Sequence, residues 1–315
     1  MREKTHSSPP PEQLAAVKRY RRIEDLIPDH WTEGNIQANG IRHHYYHSGG
    51  EKPPLVLLHG FQESALCWLP VARVLEQDYD LVLIDARGHG RSDRINGHFS
   101  PEVLSEDAAG AFRALKLDRP MVLGFSMGGT TAIRLAATHP DLVRAILVAG
   151  TSDQRLDGQV FIQSEGYQVW LHSWIVGLER LKTQSHEEQV LASLARLSPG
   201  TPLPAEDELV PMVDASAHVD LDMVRLGNEL WSQVGAQYDE TMTMLQRVTC
   251  PALLMYSNSF PVPNAPQTLR EEPSEQANVT IVRFENAGHM IYRDRFEQFS
   301  DVVKTFLSRH MSALS

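Results

Sequence analysis

The fold is decided by the stretch Leu123-Gly124-Phe125-Ser126-Met127-Gly128-Gly129. An apolar run, residues 120–123, enters it, and a small-residue run with helical spacing, residues 130–137, leaves it. A chain that passes from strand to helix over one serine places that serine in a sharp, strained turn, where neighbouring side chains would clash. The glycines two residues before and after Ser126 remove those side chains. The pattern predicts an acyl-transfer nucleophile, facing the amino end of the helix that follows.

Short apolar runs alternate with helical patterns around this turn. Strands are expected over residues 54–58, 81–84, 121–124 and 143–149, and helices over residues 65–75, 101–117 and 127–138. This alternation predicts an α/β fold with a parallel, right-handed sheet. The site of such a sheet lies outside the carboxyl ends of its strands. His59, Phe61 and Ser126 all follow strands, and the amides of Phe61 and Met127 are therefore candidate oxyanion donors.

The amino-terminal part contains a polar extension and a hairpin. Residues 1–28 are polar, and we expect them to pack a helix on the body of the protein or to form a partner-binding arm. Two β-like runs within residues 34–47 meet at Asn39-Gly40, a strong two-residue turn signal. Three histidines of this hairpin raise the possibility of a metal site, but no carboxylate or cysteine accompanies them: His43, His44 and His47. We therefore expect no metal and no cofactor.

The alternation stops over residues 151–247, which are helical in pattern and contain three of the five tryptophans. Such a block between two strands predicts a helical cap inserted into a core domain of residues 29–150 and 248–315. Aromatic side chains such as Trp170 and Trp174 serve either the core of the cap or a substrate wall.

The sheet resumes near the carboxyl terminus. Strands are expected over residues 250–256 and 279–284, with helices around residues 264–276 and 293–308. Between the last strand and the last helix lies Asn286-Ala287-Gly288-His289. A histidine on such a glycine-containing loop has the freedom to reach across the sheet edge towards Ser126, and a solvent-facing loop histidine is the alternative.

Composition limits the class of protein. The 315 residues are 42% hydrophobic and 22% charged, with a net charge of -11. A binder of nucleic acid needs a basic face, so this charge argues against one. No apolar run approaches the ~20 residues of a membrane span. Cys67 and Cys250 lie far apart in sequence, and we expect buried free thiols in the reducing cytoplasm.

Together these motifs resemble the α/β-hydrolase fold family over about residues 35–310. The matching pieces are His59-Gly60, the turn over residues 85–92, the elbow at Ser126, the helical insertion and Gly288-His289. The resemblance implies Ser126 as nucleophile, His289 as general base, and the amides of Phe61 and Met127 as oxyanion donors. Aspartate in place of Ser126 would indicate a dehalogenase or an epoxide hydrolase. Serine indicates cleavage of an ester, thioester, lactone, amide or activated C–C bond.

The sequence departs from the family pattern at the acid that orients the histidine. The family usually carries it after the penultimate strand, where Phe260 stands here. Asp153 is one candidate, although it also suits the N-cap of a helix. Neutral orienters at Asn258 or Ser257 are a second possibility, and a water or a cap residue is a third.

The sequence predicts a serine hydrolase that acts on a small-molecule acyl substrate without a cofactor. The substrate pocket is expected to include five side chains: His59, Phe125, Trp170, Trp174 and Met290. Two other functions stay open because the usual acid is missing. One is a ligand-binding protein of the same fold without turnover, and the other is a cofactor-free C–C lyase or oxygenase.

Overall fold

The computed structural model describes residues 17–150, 165–197, 201–231, 234–257, 269–272 and 274–311. A nine-stranded sheet runs through these ranges in the order β1-β2-β4-β3-β5-β6-β7-β9-β8. Its strands are Thr32–Ala38 (β1), Ile41–His47 (β2), Pro54–Leu58 (β3), Asp80–Ile84 (β4), Met121–Phe125 (β5), Ala145–Ala149 (β6), Ala252–Ser257 (β7), Leu269–Glu272 (β8) and Val279–Phe284 (β9). Six neighbouring strands are parallel to one another, in the sheet order β4-β3-β5-β6-β7-β9. Strands β1, β2 and β8 run antiparallel to their neighbours.

Helices cover both faces of the sheet. They are Leu69–Leu75 (α1), Pro101–Ala114 (α2), Met127–Thr138 (α3), Glu165–Leu181 (α4), His186–Leu194 (α5), Glu206–His218 (α6), Leu221–Trp231 (α7), Val234–Leu245 (α8), Ile291–Asp294 (α9) and Phe296–Met311 (α10). Alternate residues of β3 enter opposite cores: Leu57 packs in the core that includes α1 and α10, whereas Val56 packs in the core that includes α2 and α3. This two-sided burial explains why the central strands are continuous apolar runs.

The predicted hairpin turn is confirmed. Asn39 and Gly40 join β1 to β2 with φ angles of 47° and 80°. Both residues lie in the left-handed region, as a two-residue hairpin turn requires.

Each histidine of this hairpin lies near an aspartate. His44 Nδ1 lies 3.1 Å from Asp85 Oδ2, and His47 Nε2 lies 2.8 Å from Asp80 Oδ1. His43 Nε2 lies 3.8 Å from a carboxylate oxygen of Asp107. Within the described ranges, no group of three or more His, Cys, Asp or Glu side chains could hold a metal ion.

One predicted element is wrong. The helix expected around residues 264–276 is contradicted over Leu269–Glu272, which forms β8 and pairs with β9. Backbone pairing at the sheet edge outweighs the local helical pattern there. The helix expected over residues 65–75 begins as a 3-10 turn, Ala65–Trp68, before α1.

Five described helices, α4 to α8, lie between β6 and β7 in the chain. Helix α7 covers the loops that follow β3 and β4, because Asp220 donates its backbone N–H to Gly88 O at 2.7 Å and Gly227 abuts the Phe61 ring. Helix α7 therefore lies over the carboxyl edge of the sheet, whereas α8 packs against α3 and α6 against α1. No helix in the described part has the length and apolarity that a bilayer crossing requires. The thiols of Cys67, which is buried, and Cys250, which is half-buried, are both free.

Candidate active site

The turn at Ser126 has the strained geometry that the sequence predicts. Its φ of 49° and ψ of -110° lie outside the regions that a serine normally occupies, at a cost of roughly 1–3 kcal/mol. Ser126 donates its backbone N–H to Ala149 O at 2.8 Å and accepts from Thr130 N at 3.0 Å. These bonds join the turn to β6 and to the first turn of α3, so the strain is maintained by the sheet and the helix together.

The two glycines of this turn are required by close backbone contacts. A Cβ atom on Gly124 would lie 2.2 Å from Gly128 O, and one on Gly128 would lie 2.1 Å from Leu58 O. Both positions therefore exclude any side chain, and the amino end of α3 sits directly against the end of β3. Register agrees with this contact, because Leu58 pairs with Gly124 across β3 and β5.

The Met127 amide occupies the first position of α3, where a backbone N–H has no partner within its own helix. It therefore lies beside Ser126 with the positive end of the helix behind it. An anion that forms above Ser126 would be stabilised at this point.

The Phe61 amide is oriented by the peptide group that contains it. Ala86 donates its N–H to His59 Nε2 at 3.0 Å, so the ring proton lies on Nδ1 and is donated to Gly60 O at 2.8 Å. Glu63 donates a second N–H to the same carbonyl at 3.2 Å. A trans peptide directs its N–H opposite to its carbonyl, so these two donors fix the direction of the Phe61 N–H.

His59 is held by backbone groups of the loops that follow β3 and β4. Its ring is buried at 1% exposure, and both nitrogens bond to the backbone. Burial lowers its pKa, which keeps the ring neutral. The side chain lines a small internal cavity beside Met127 and Gly128, behind the elbow. It is therefore a fixed support of the loop that carries Phe61.

His289 lies on the loop after β9, at the same edge of the sheet. Its ring packs on the Phe125 ring with centroids 5.0 Å apart, and its carbonyl oxygen lies 3.1 Å from the Cβ position of Gly150. Partial burial lowers its pKa, and the charge of Asp294 opposes that shift. Among the residues described, no hydrogen bond joins His289 to Ser126, and catalytic hydrogen bonds are often long without substrate.

The sequence analysis missed a carboxylate beside this histidine. Asp294 accepts the Gly288 N–H on Oδ2 at 2.7 Å, and it is the carboxylate whose charge acts on His289. It lies five residues beyond His289, outside the region where the family places its acid. Asp153 and Asn258, the predicted orienters, lie outside the described residues. Ser257 is the last residue of β7 and is buried.

Phe125, one of the side chains predicted to line the substrate pocket, packs in the core at the base of the elbow. It is 3% exposed, and its ring would lie 2.7 Å from a Cβ atom on Gly60 and 2.4 Å from one on Gly150. Its ring also packs against His289 and Tyr292, each at a centroid distance of 5.0 Å. The elbow lifts Ser126 out of the sheet while the residue before it stays in the strand and points inward.

Three aromatic side chains of α4 form a row of rings. Trp170 stacks on Trp174 with centroids 5.0 Å apart and packs on Tyr167 at 5.4 Å. Trp174 packs in the apolar cluster that contains Phe61, whereas Trp170 is 46% exposed. Met290 is half-buried against the core. Trp174 thus lies nearer the Phe61 loop than Trp170 does.

The loop over residues 85–92 is held by buried polar bonds. Asp85 accepts from Ala65 N at 2.8 Å, Arg91 N at 3.0 Å and His44 Nδ1 at 3.1 Å. Burial opposes ionisation of Asp85, but these donors and the nearby His59 lower its pKa overall. Burial lowers the pKa of His89 to about 3. These side chains stabilise the loop beneath α7.

Comparison with characterised proteins agrees with this geometry. N-formylmaleamate deformylase of Pseudomonas putida is 28% identical over 278 residues, which cover 87% of this chain and 96% of the deformylase. An esterase of Mycobacterium tuberculosis is 36% identical over 118 residues, which cover 37% of this chain and 39% of the esterase. These relatives are hydrolases, and they differ in the bond that they cleave.

Solved structures show the same fold at low identity. The N-formylmaleamic acid deformylase from Pseudomonas putida S16 gives a TM-score of 0.62 at 23% identity and covers 86% of this chain and 100% of that chain. An epoxide hydrolase from Vigna radiata gives a TM-score of 0.63 at 15% identity and covers 89% of this chain and 98% of that chain. The family model of the alpha/beta hydrolase fold matches residues 53–296. The chain therefore belongs to the α/β-hydrolase fold family.

Proposed function

We propose that this protein is a serine hydrolase that cleaves an ester or a related acyl bond of a small molecule. The observation that supports this most directly is Ser126 in a strained elbow at the amino end of α3, with no side chain possible at Gly124 or Gly128. A hydroxyl held in that way is accessible and faces a positive helix end. A structural serine would not need this strain.

The proposed reaction follows from the positions of the groups. His289 takes the proton of Ser126 as that oxygen attacks the carbonyl carbon, and the oxyanion accepts hydrogen bonds from the Phe61 and Met127 amides. The imidazolium then gives its proton to the leaving group. Water, deprotonated by the same His289, attacks the acyl-enzyme and releases the acid and Ser126.

We further propose that helices α4 to α8 act as a cap over this site. Gly227 of α7 meets the Phe61 ring, and Trp174 of α4 packs in the same apolar cluster. An apolar cover of this kind excludes water and strengthens the oxyanion bonds. It favours a substrate whose acyl group is uncharged.

A formamide or another amide is the second candidate for the scissile bond. The relative that matches along almost its whole length is a deformylase. Amide cleavage uses the same nucleophile and oxyanion donors but needs a protonated leaving nitrogen. The test below therefore includes an N-formyl amide.

The test measures turnover of p-nitrophenyl acetate, an acetyl thioester, a lactone and an N-formyl amide by the wild type and by Ser126→Ala. At least one substrate should turn over, and Ser126→Ala should reduce its kcat by about 10⁴-fold or more. Ser105→Ala is the matched control, because Ser105 Oγ is buried without a hydrogen-bond partner in the described part of the chain. Turnover that persists in Ser126→Ala would contradict the proposal, and binding without turnover would favour a ligand-binding protein.

A further inference from the structure

Glu63 is a buried side chain that the proposed reaction does not use. It is 4% exposed and follows Phe61 by two residues. Its Oε2 accepts the Gly60 N–H at 2.8 Å, and its Oε1 accepts the Tyr292 hydroxyl at 2.5 Å. Burial raises the pKa of Glu63, while these two donors oppose the rise. A carboxyl group removed from water is costly unless both oxygens are satisfied, so this arrangement needs both partners.

The two partners of Glu63 belong to different loops of the site. Gly60 precedes Phe61 on the loop after β3, and Tyr292 lies in α9, at the end of the loop after β9, three residues beyond His289. Strands β3 and β9 are not neighbours, since β5, β6 and β7 separate them in the sheet. The sheet ladder alone therefore does not fix the distance between these loops.

The Phe125 ring lies between the same two loops. It meets the Cβ position of Gly60 at 2.7 Å, and it packs edge-on against Tyr292 at 5.0 Å. Phe125 directly precedes Ser126, so its ring lies at the base of the elbow. The Glu63–Tyr292 hydrogen bond joins the two segments that contact this ring. The oxyanion amide, the nucleophile and the base are thereby connected through one buried polar bond.

We propose that Glu63 and Tyr292 are positioning residues, whose hydrogen bond sets the Phe61 amide and His289 at the correct separation around Ser126. The expected effect on kcat rests on the proposed function. The connection between the two segments rests on the contacts alone. Loss of the bond should lower kcat more than it raises KM, since the oxyanion and the base act in the transition state.

Tyr292→Phe tests the proposal because it removes one oxygen and keeps the ring contacts with Phe125 and Trp68. We expect kcat for p-nitrophenyl acetate to fall by about 10-fold or more, with KM within about 2-fold, since a displacement of ~1 Å can cost ~10²-fold. Glu63→Gln should retain most activity: its amide oxygen can accept from Gly60 and its amide nitrogen can donate to Tyr292.

Tyr46→Phe is the matched control. Tyr46 is a tyrosine of β2 that is 1% exposed, and its hydroxyl has no hydrogen-bond partner in the ranges described. Its removal should leave kcat and the melting temperature unchanged. A Tyr292→Phe variant that melts earlier but keeps the wild-type kcat would show a merely structural bond and overturn the proposal.

Hydrogen–deuterium exchange measures the same coupling without any substrate. In Tyr292→Phe, amide exchange should accelerate in both residues 57–64 and residues 285–290, whereas Tyr46→Phe should change neither segment. Acceleration in only one segment, or in none, would contradict the coupling of the two loops. If the wild type hydrolyses no acyl substrate, the proposed function fails, and the exchange result still decides whether Glu63 and Tyr292 connect these loops.

Discussion

Substitution of Gly128 by alanine tests the physical basis of the elbow. The added Cβ would lie 2.1 Å from Leu58 O and 2.7 Å from His59 O, both of them backbone atoms that cannot rotate away. Cβ atoms essentially never approach other atoms closer than 3.0 Å, so α3 must withdraw from β3 by about 0.9 Å. Overpacking of this kind costs about 1–3 kcal/mol of the free energy of unfolding.

Gly128→Ala should lower catalysis as well as stability. Withdrawal of α3 carries the Met127 amide and Ser126 with it, and a displacement of ~1 Å at a reacting group costs on the order of 10²-fold in rate. We therefore expect kcat/KM to fall by about that factor, equal to about 2.7 kcal/mol of transition-state stabilisation. Ester hydrolysis and thermal unfolding, measured on the same preparation, separate the two effects.

Gly177→Ala is the matched control for this experiment. Gly177 lies inside α4, and its Cβ would meet only the far end of Arg196 at 3.4 Å. Alanine should raise stability there by up to about 1 kcal/mol through helix propensity, without an effect on kcat/KM. If Gly128→Ala retained wild-type activity and stability, the contact between α3 and β3 would not maintain the elbow, and the reasoning would be refuted.

Three further predictions concern the base, the cap and the orienting acid. Because partial burial lowers the pKa of His289, the acid limb of kcat/KM should have its midpoint below pH 6.5, and Asp294→Asn should move it lower still by removing the charge that favours the imidazolium; a midpoint that rises in Asp294→Asn would contradict this sign. Gly227→Ala would place a Cβ 2.4 Å from the Phe61 ring, so it should change the ratio of kcat/KM for acetyl and butyryl esters, and an unchanged ratio would separate α7 from the substrate pocket. Asp153→Asn should reduce the acylation rate by roughly 10²-fold or more if Asp153 orients the histidine, and an unchanged burst rate would remove it from the mechanism.

The sequence was sufficient for the parts of the fold that depend on short-range rules. The strand before Ser126, the helix after it and the turn at Asn39-Gly40 agree with the structure because spacing and glycine placement act locally. Helix α2 also begins where the sequence predicts, since Ser100 accepts the Val103 N–H on its side chain at 3.3 Å.

The one wrong element lies where a contact across the sheet decides the structure. Leu269–Glu272 forms a strand because β9 lies beside it, which no local pattern shows. Phe125 and His59 lie at the predicted edge of the sheet, where the Phe125 ring is buried in the core and the His59 ring bonds to the backbone. The position of each residue along the chain predicts the sheet edge at which it lies. The direction in which its side chain points depends on packing between elements that are distant in sequence.

The sequence also did not predict the buried hydrogen bonds that hold the loops of the site. Glu63 and Tyr292 meet across 229 positions of the chain, and neither has a local signal that indicates a buried hydrogen bond. Asp294 bonds the Gly288 N–H from the short helix α9. Its position after the histidine differs from the position that the family resemblance implies.

Covalent labelling by a fluorophosphonate tests the central claim, that a base-activated Ser126 attacks electrophilic centres, most directly. The measurement is the mass of the labelled chain together with the peptide that carries the phosphonyl group. We predict one group per chain, located on Ser126, absent in Ser126→Ala and formed about 10³-fold more slowly in His289→Ala. A phosphonyl group on any other serine, or a folded wild-type chain that remains unlabelled, would contradict the account.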